Sequence, residues 1–233
     1  CFVFPRTAVA IEHEHESRFA ANPNVITFYN KGQRYLRHAV SDQGDRCDWF
    51  AIDREIAREA AAADREDPFS WTHAGSDPKI YLQQRRIFEA ARARTLPALA
   101  IEEQTIRLLE DVIPTHRTSK QPAVAKRGRE MVYETENLLG AKLDQPLRLA
   151  DIAAHVGSSV FHLCRTFRSA TGSTIHTYLT QLRVRAGLEQ ICGRPSLSAV
   201  ALDLGFTHHS HFSSAFQREF GATPSAIRAQ LTS

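Results

Sequence analysis

The sequence predicts an α+β protein with a small β-region followed by helices and then an all-α domain of about seven helices. Runs rich in Val, Ile, Phe, Tyr and Trp, separated by turn residues, are confined to residues 1–52. From residue 53 onward, apolar residues recur at helical spacing. One helical pattern then occurs twice between residues 149 and 221. These three observations define the predicted fold class.

Residues 1–52 read as a short antiparallel β-region. Its strand-like runs are FVFPRTAVAIEHE, NVITFYNKG and RCDWFAI, and the turn stretches AANPN, NKGQ and SDQGD separate them. Only three or four strands are visible, which is too few to close a barrel. Since the sequence begins inside a strand-like run, we expect an incomplete or reduced sheet structure.

The stretch EHEHE contains a potential metal site. A His-x-His pair on a strand places His13 and His15 on one face, where a metal could bind both imidazoles. The residues around the pair do not complete a ligand set: Thr7 stands upstream where a Gly would be expected, and Phe19 and Ala20 stand downstream where a Glu would be expected. We therefore favour an exposed strand or turn and predict no metal and no other cofactor.

The four cysteines are scattered and form no C-x-x-C pair, so neither a zinc site nor a disulfide framework is predicted. A cytoplasmic protein with reduced thiols is the expectation. Cys47 follows Arg46, and a neighbouring cation lowers the pKa of a thiol. Between a reactive Cys47 and a buried structural cysteine on a strand, the sequence favours the structural one.

Helices are predicted over residues 53–113, completing a first domain of residues 1–113. Asp53 supplies an N-cap for the first helix, which runs to Ala63. Pro78 suits the first turn of a second helix, and Pro97 opens a third; both carry apolar stripes. The polar, basic segment 114–127 contains two prolines and is predicted to be the interdomain linker.

The domain over residues 128–233 contains the repeated pattern. Residues 149–172 and 197–221 align with an offset of 48 before the turn and 49 after it, which requires one added residue in the second turn. In each copy, apolar residues at helical spacing, a small Ala, a Gly able to adopt positive φ and a second amphipathic helix follow one another. Each copy therefore predicts a helix-turn-helix, whose second helix can enter a major groove.

Three further helices complete this domain. A first helix is predicted from Gly128 to Leu139, and one long connector helix over residues 175–191 joins the two motifs, with Arg183 and Arg185 on its polar face. Thr223 and Pro224 mark the start of a last helix. If the connector separates the second helices by about 34 Å, both reach successive major-groove segments on one face of B-DNA.

Charge is distributed unevenly along the chain. Residues 120–233 carry 13 Lys and Arg against 8 Asp and Glu, a balance of +5, whereas residues 1–119 carry 16 against 18, a balance of −2. The half that contains the repeat is therefore the basic one, as attraction to phosphate requires. No apolar run approaches the ~20 residues of a membrane helix.

Roughly from Gly128 to Leu231 the chain resembles the AraC/XylS family of bacterial transcription regulators. The most specific match is A-x-x-x-GF at Ala201 to Phe206, S-H-F-S-x-x-F at Ser210 to Phe216, and F-G-x-TP-x-x-x-R at Phe220 to Arg228. The resemblance implies sequence-specific binding of double-stranded DNA, contact with RNA polymerase, and activation of transcription more often than repression.

The resemblance also implies an effector-sensing or dimerisation domain, often a cupin-like barrel, ahead of the DNA-binding half. It implies a homodimer formed through helices 78–113; the alternative is that these apolar stripes pack on the β-region of the same chain. A small-molecule effector is expected, but the residues that bind it, the operator sequence and the regulated genes cannot be read from the sequence.

Family base-contacting positions map onto this chain residue by residue. On the second helix of the first motif they correspond to Phe161, Cys164 and Arg165, with phosphate contacts expected from the remaining polar positions, Ser159, His162 and Arg168. Core packing is an alternative for Phe161. The expected DNA-contacting residues of the second motif are His208, His209, Ser210, His211, Ser214 and Arg218. Many relatives carry Arg where this chain has Ser214, which predicts weaker contact or a different base preference there.

Two alternatives belong to other functional classes. One is a DNA-modifying enzyme that uses this domain for targeting; residues 1–119 contain no nucleophile elbow, phosphate loop or paired carboxylates with a mechanism, so we predict no enzyme. The other is a sensor whose DNA-binding half has lost its activity, which the weakly basic second motif allows. Specific DNA binding distinguishes the regulator from this sensor.

Overall fold

The computed structural model describes residues 1–14, 17–42, 44–64, 66–118, 125–193 and 196–232. Within these ranges the N-terminal half, residues 1–118, contains two antiparallel sheets. The strands are β1 (Phe2–Pro5), β2 (Val9–His13), β3 (Phe19–Ala21), β4 (Val25–Phe28), β5 (Tyr35–Ala39), β6 (Cys47–Phe50) and β7 (His73–Gly75). Their order is β6-β1-β4-β7 in one sheet and β3-β2-β5 in the other.

Side chains of β1 point alternately to the two faces of the four-stranded sheet, and each face packs against a different part of the protein. Phe2 and Phe4 point from one face of the four-stranded sheet into a core shared with helices. Val3 points to the opposite face, where it packs with Val9 and Ile11 of the three-stranded sheet. The two sheets therefore enclose a small core of their own, and the helices cover the outer face of the larger sheet.

The expectation of three or four strands was wrong, since the described residues form seven. The predicted run FVFPRTAVAIEHE is two strands, β1 and β2, in different sheets. Strands β3 and β7 contain three residues each, which is too short for an alternating pattern to show. Strand β5 (YLRHA) is largely exposed and has no apolar–polar alternation, so periodicity did not predict it either.

Ten helices follow or interrupt the strands in the described ranges, which confirms the α+β class. In the N-terminal half they are α1 (Arg54–Ala60), α2 (Pro78–Ala93) and α3 (Ala98–Thr118). The C-terminal half, residues 126–232, contains α4 (Lys126–Ala141), α5 (Leu149–His155), α6 (Val160–Thr171), α7 (Ile175–Ile191), α8 (Leu197–Asp203), α9 (His209–Phe220) and α10 (Pro224–Thr232). This half thus has the seven helices that the sequence predicted.

Caps explain why several helix boundaries were predictable. The carboxylate of Asp53 accepts hydrogen bonds from the backbone N–H groups of Glu55 and Ile56 at the start of α1. Asp77 accepts from Lys79 N–H at the start of α2, and Thr223 from Ala226 N–H at the start of α10. Helix α3 continues to Thr118, beyond the predicted start of the linker; residues 119–124 of that linker lie outside the described residues.

The hydrophobic core crosses from one half into the other. One cluster runs from Phe2 and Phe28 of the larger sheet through α2 and α3 to Phe212 and Phe216 of α9. A separate cluster, which includes Leu163 of α6, belongs to α4, α5, α6 and one side of α7. The second motif is therefore packed on the N-terminal half, whereas the first has a core of its own.

Among the described helices, none combines the length and the apolar character that crossing a bilayer requires.

Candidate DNA-binding surface

Helices α5 and α6 form the first predicted helix-turn-helix. Ile152 and Ala153 of α5 pack against Leu163 and Phe167 of α6, and each of these side chains is 2% exposed or less. Gly157 has φ +60° and allows the chain to leave α5 and turn tightly into α6. Burial of one face of α6 leaves its opposite face free to contact a partner.

Helices α8 and α9 repeat this arrangement. Val200, Ala201, Phe212 and Phe216 are all 0% exposed, at positions equivalent to the four core residues of the first motif. Four residues separate α5 from α6 and five separate α8 from α9. The sequence offset thus changes from 48 to 49 in the turn, and both second helices contain 12 residues. The internal repeat read from the sequence is a structural repeat.

Gly205, in the second turn, meets a tighter constraint than Gly157. It has φ +76°, and a Cβ added there would lie 2.5 Å from the carbonyl oxygen of Asp144. A Cβ on Gly157 would meet nothing within 4 Å. The loop before α5 therefore packs directly on the turn of the second motif.

The connector helix α7 is buried on several sides, which explains why it lacks a simple apolar stripe. Tyr178, Leu179 and Leu182 face the core of the first motif, while Val184 and Leu188 face the core shared with the second. Gly187 permits close packing, because a Cβ there would lie 2.7 Å from the ring of Phe212. One continuous helix therefore fixes the two motifs relative to each other.

Arg183 ties this helix to both motifs. Its guanidinium donates hydrogen bonds to the carbonyls of Leu143 (2.5 Å), Gln145 (2.8 Å) and Gly205 (3.1 Å). The first two carbonyls belong to the segment that leads into the first motif, and the third to the turn of the second. Burial lowers the pKa of Arg183 from its ordinary value.

The predicted DNA-contacting residues lie at the surface with one exception. Cys164 is half-buried against the core of the first motif. The other eleven are exposed: Ser159, Phe161, His162, Arg165, Arg168, His208, His209, Ser210, His211, Ser214 and Arg218. Phe161 is 77% exposed, which rules out the alternative that it fills the core. Its apolar ring is therefore available to a ligand.

The second helices of the two motifs carry three exposed arginines. Arg165 and Arg168 on α6 and Arg218 on α9 form no salt bridge with any residue that the structure describes. Guanidinium groups with free donors can bind phosphate oxygens or the O6 and N7 atoms of guanine. The basic side chains of this surface are consistent with a nucleic-acid partner.

Some of the polar candidates also have structural contacts. Ser159 is the N-cap of α6, where its hydroxyl accepts a hydrogen bond from His162 N–H (3.2 Å). His211 packs edge-on against Phe206, with ring centroids 5.3 Å apart. The histidines of the second motif are exposed, and no group of three or more metal-ligating side chains occurs in the described ranges. Contact with DNA by these residues stays a prediction.

The sequence reading missed the contacts that join the N-terminal half to the connector helix. Arg185, predicted on the polar face of α7, is 1% exposed. Its guanidinium donates to the carbonyls of Pro23 (2.7 Å) and Ser76 (2.9 Å) and forms a salt bridge with Glu219 of α9 (2.8 Å). Helical periodicity shows which positions share a face, but not that a second domain covers that face.

A second group of ion pairs lies nearby. Glu189 of α7 forms salt bridges with Arg6 and Arg85 of the N-terminal half, and Arg85 also pairs with Asp48, which is 0% exposed. Burial raises the pKa of Glu189, and the two arginines oppose that shift. The N-terminal half thus contacts the helix that sets the spacing of the two motifs.

The structure also places the potential metal site and the potential reactive thiol of the β-region. His13 is 3% exposed, contrary to the exposed strand or turn that was favoured, and its Nδ1 lies 3.0 Å from Gln33 Nε2. His15 lies outside the described residues. Burial raises the pKa of the Cys47 thiol, so proximity to arginine does not create a reactive thiolate there.

These features define a class of protein: two helix-turn-helix motifs held on one rigid connector helix, each with an exposed polar face, as in DNA-binding proteins. The family model described as a helix-turn-helix domain matches residues 152–230. Regulatory protein SoxS of Salmonella typhimurium is 37% identical over 90 residues, which cover 38% of this chain and 84% of SoxS.

The chain belongs to the AraC/XylS family of DNA-binding transcription regulators, as the motifs indicated. The Msm operon regulatory protein of Streptococcus mutans is 24% identical over 165 residues, which cover 69% of this chain and 59% of that protein. A solved structure of a transcriptional regulator with an AraC-type DNA-binding domain from Chromobacterium violaceum is 31% identical. The matched region covers 44% of this chain and 92% of the chain in that structure, with a TM-score of 0.42.

Proposed function

We propose that this chain is a cytoplasmic, effector-responsive activator that reads two successive major-groove segments of duplex DNA. The observation that carries the proposal is the mounting of both motifs on α7, with the predicted DNA-contacting side chains other than Cys164 exposed. Arg165 is the leading candidate for a base contact, since a guanidinium grips guanine through two hydrogen bonds. Arg168 and Arg218 are assigned to phosphates.

Effector response is supported by the contacts between the halves. Arg185 joins the segment around Pro23 to Glu219 at the end of α9, so a change in the N-terminal half reaches the second motif through direct bonds. We further propose that the N-terminal half forms the homodimer interface, and that the DNA-bound protein contacts RNA polymerase. No catalytic step is part of this proposal.

A selection from randomised duplexes with the purified protein tests the DNA-binding proposal. Two motifs about one turn apart should enrich a site with two conserved blocks separated by about 10 base pairs. A single block would mean that the histidine-rich second motif contacts only the backbone. Failure to enrich any sequence, with or without candidate effectors, would contradict the proposal.

A further inference from the structure

A cleft of about 260 Å³ lies between the N-terminal half and the first motif. Phe19 and Ala74 border it from the two sheets, Val132 and Glu136 from α4, Ala170 from the end of α6, and Tyr178 from α7. Its walls combine apolar side chains with polar ones, among them Arg18, Arg129 and His73, and Glu136 supplies the carboxyl group of the lining. A molecule bound here would contact the β-region, the first motif and the connector helix at once.

The carboxyl group of Glu136 has no cation beside it in the described structure. Burial raises its pKa to about 7, and only a hydrogen bond with Tyr178 opposes that shift. Arg18 also borders the cleft, but its side chain is half exposed and its Nε lies 2.6 Å from Glu12 Oε2. Burial therefore disfavours the charge of Glu136, and no cation in the described part of the chain offsets that effect.

The Tyr178 hydroxyl group holds the carboxyl group of Glu136 in place. The hydroxyl accepts a hydrogen bond from Asn22 Nδ2 (2.9 Å) and has one proton of its own to donate. Its hydrogen bond with Glu136 lowers the pKa of that carboxyl group, as donation by the hydroxyl to a carboxylate does. The amide of Asn24 fixes the backbone of Tyr178 (3.2 Å).

We propose that this cleft binds a small organic amine, with Glu136 as the counter-ion of the ammonium group and an apolar body packed against Phe19, Val132 and Ala170. The bound ammonium group takes the place of the proton that Glu136 otherwise holds. Such a molecule would be the effector, so this inference rests on the effector-responsive function proposed above. A carboxylate is disfavoured, because its charge would face that of Glu136.

This exchange makes binding dependent on pH. The other titratable groups that line the cleft are Tyr133 and Arg129 of α4, Arg18, His73 of β7 and Tyr178. Since Glu136 must lose its proton to pair with an ammonium ion, affinity should rise by about tenfold between pH 6 and pH 8. A neutral ligand should show no such increase.

Isothermal titration of the full chain, without DNA, with benzylamine, benzyl alcohol and benzoate tests the proposal. We expect benzylamine to bind one to one and more tightly at pH 8, and the other two to bind at least tenfold more weakly. Glu136→Gln should abolish the preference for benzylamine while preserving the fold, because the amide resembles the protonated acid. Glu134→Gln, on an exposed position of the same helix, is the matched control and should change nothing.

Tighter binding of benzoate, an equal effect of both variants, or no binding of any of the three molecules would overturn the proposal. The duplex selection is a separate measurement. Benzylamine binding without sequence enrichment would leave the amine site standing and contradict the DNA-binding proposal, whereas enrichment without amine binding would do the reverse.

Discussion

Arg165 and Arg168 lie three positions apart on α6, yet we expect different roles for them. Arg165→Ala should cost about 1–3 kcal/mol of DNA-binding free energy and relax base preference within one block of the site only. Arg168→Ala should weaken binding to all sequences. It should also reduce the slope of log binding constant against log salt concentration by about 1, because one phosphate contact is lost. Fluorescence anisotropy on matched and mutated duplexes over a range of salt concentrations measures both effects.

Each variant is the control for the other, because both remove an exposed arginine from the same helix. Equal loss of binding to every duplex for both variants would show that α6 contacts only the backbone. The two assignments would be exchanged if Arg168→Ala relaxed base preference within one block of the site and Arg165→Ala weakened binding equally to all sequences.

Gly205 and Gly157 provide a second comparison at single residues. Both have positive φ, so alanine at either position strains the backbone by about 1–2 kcal/mol. Alanine at 205 would also place its Cβ 2.5 Å from the Asp144 carbonyl oxygen, whereas alanine at 157 meets open space. We expect Gly205→Ala to lower the free energy of unfolding by at least about 1 kcal/mol more than Gly157→Ala. Urea denaturation measures the difference, and equal midpoints would contradict it.

The residues that sequence reasoning placed correctly are those whose local pattern decides their environment. Phe167 and Phe216 are buried because each lies one helical turn from another core residue. Arg185 shows the limit of that reasoning. An arginine on a helix is predicted to lie on its polar surface, but the carbonyls that cover this one come from residues 23 and 76. Its position depends on contacts distant in sequence, which periodicity does not contain.

At the scale of elements, Arg185 attaches α7 both to α9 and to the N-terminal half. Arg185→Ala would leave Glu219 without its buried cation and two carbonyl groups without a donor. Removing one partner of a buried ion pair costs about 3–5 kcal/mol, so we expect a loss of that size in unfolding free energy. Urea denaturation monitored by circular dichroism checks it.

Arg92→Ala is the control for the loss of an arginine as such. Arg92 forms a salt bridge with Glu89 at 2.7 Å, but its side chain is 71% exposed. Exposed pairs contribute less than about 1 kcal/mol, so this variant should unfold close to the wild type. A similarly small effect of Arg185→Ala would show that the guanidinium does not hold the two halves together.

Helices were predicted more accurately than strands for physical reasons. The connector helix was predicted over residues 175–191 and extends from Ile175 to Ile191. Helices of this length contain several turns of periodic sequence and are marked by caps such as Thr174, which accepts from Thr177 N–H. Strands of three residues, such as β3, contain too little pattern and are specified by their neighbours in the sheet.

At the scale of the molecule, the continuous core makes the two motifs unequal. The second motif shares apolar packing with the sheets, and Tyr81 of α2 stacks on Phe220 at its end, with ring centroids 6.5 Å apart. The first motif has a separate core, and the end of α6 lines the cleft beside Glu136 together with residues of the N-terminal half. An effector in that cleft would therefore act where the packing between the halves is least continuous.

The proposed homodimer also belongs to this scale. Trp49 is 63% exposed and lines a groove of about 470 Å³ formed by β6, α1, α2 and α3. Leu99 is 76% exposed and lies on α3 two positions before Ile101, which also lines the groove. An exposed apolar patch of this kind indicates a protein partner, and a second copy buries it symmetrically. We expect Leu99→Glu to raise the dimer dissociation constant at least tenfold, measured by sedimentation velocity.

Leu202→Glu is the matched control, since Leu202 is 63% exposed but lies on α8 of the second motif. It should leave the dimer intact, because the groove is formed by the N-terminal half alone.

A dimer places four helix-turn-helix motifs on one assembly. Wild-type protein should therefore bind a duplex with two copies of the selected site more tightly than a duplex with one copy. Leu99→Glu should lose that advantage while still binding the single site. A wild-type protein that sediments as a monomer at tens of micromolar would contradict the interface and leave the apolar stripes as packing within one chain.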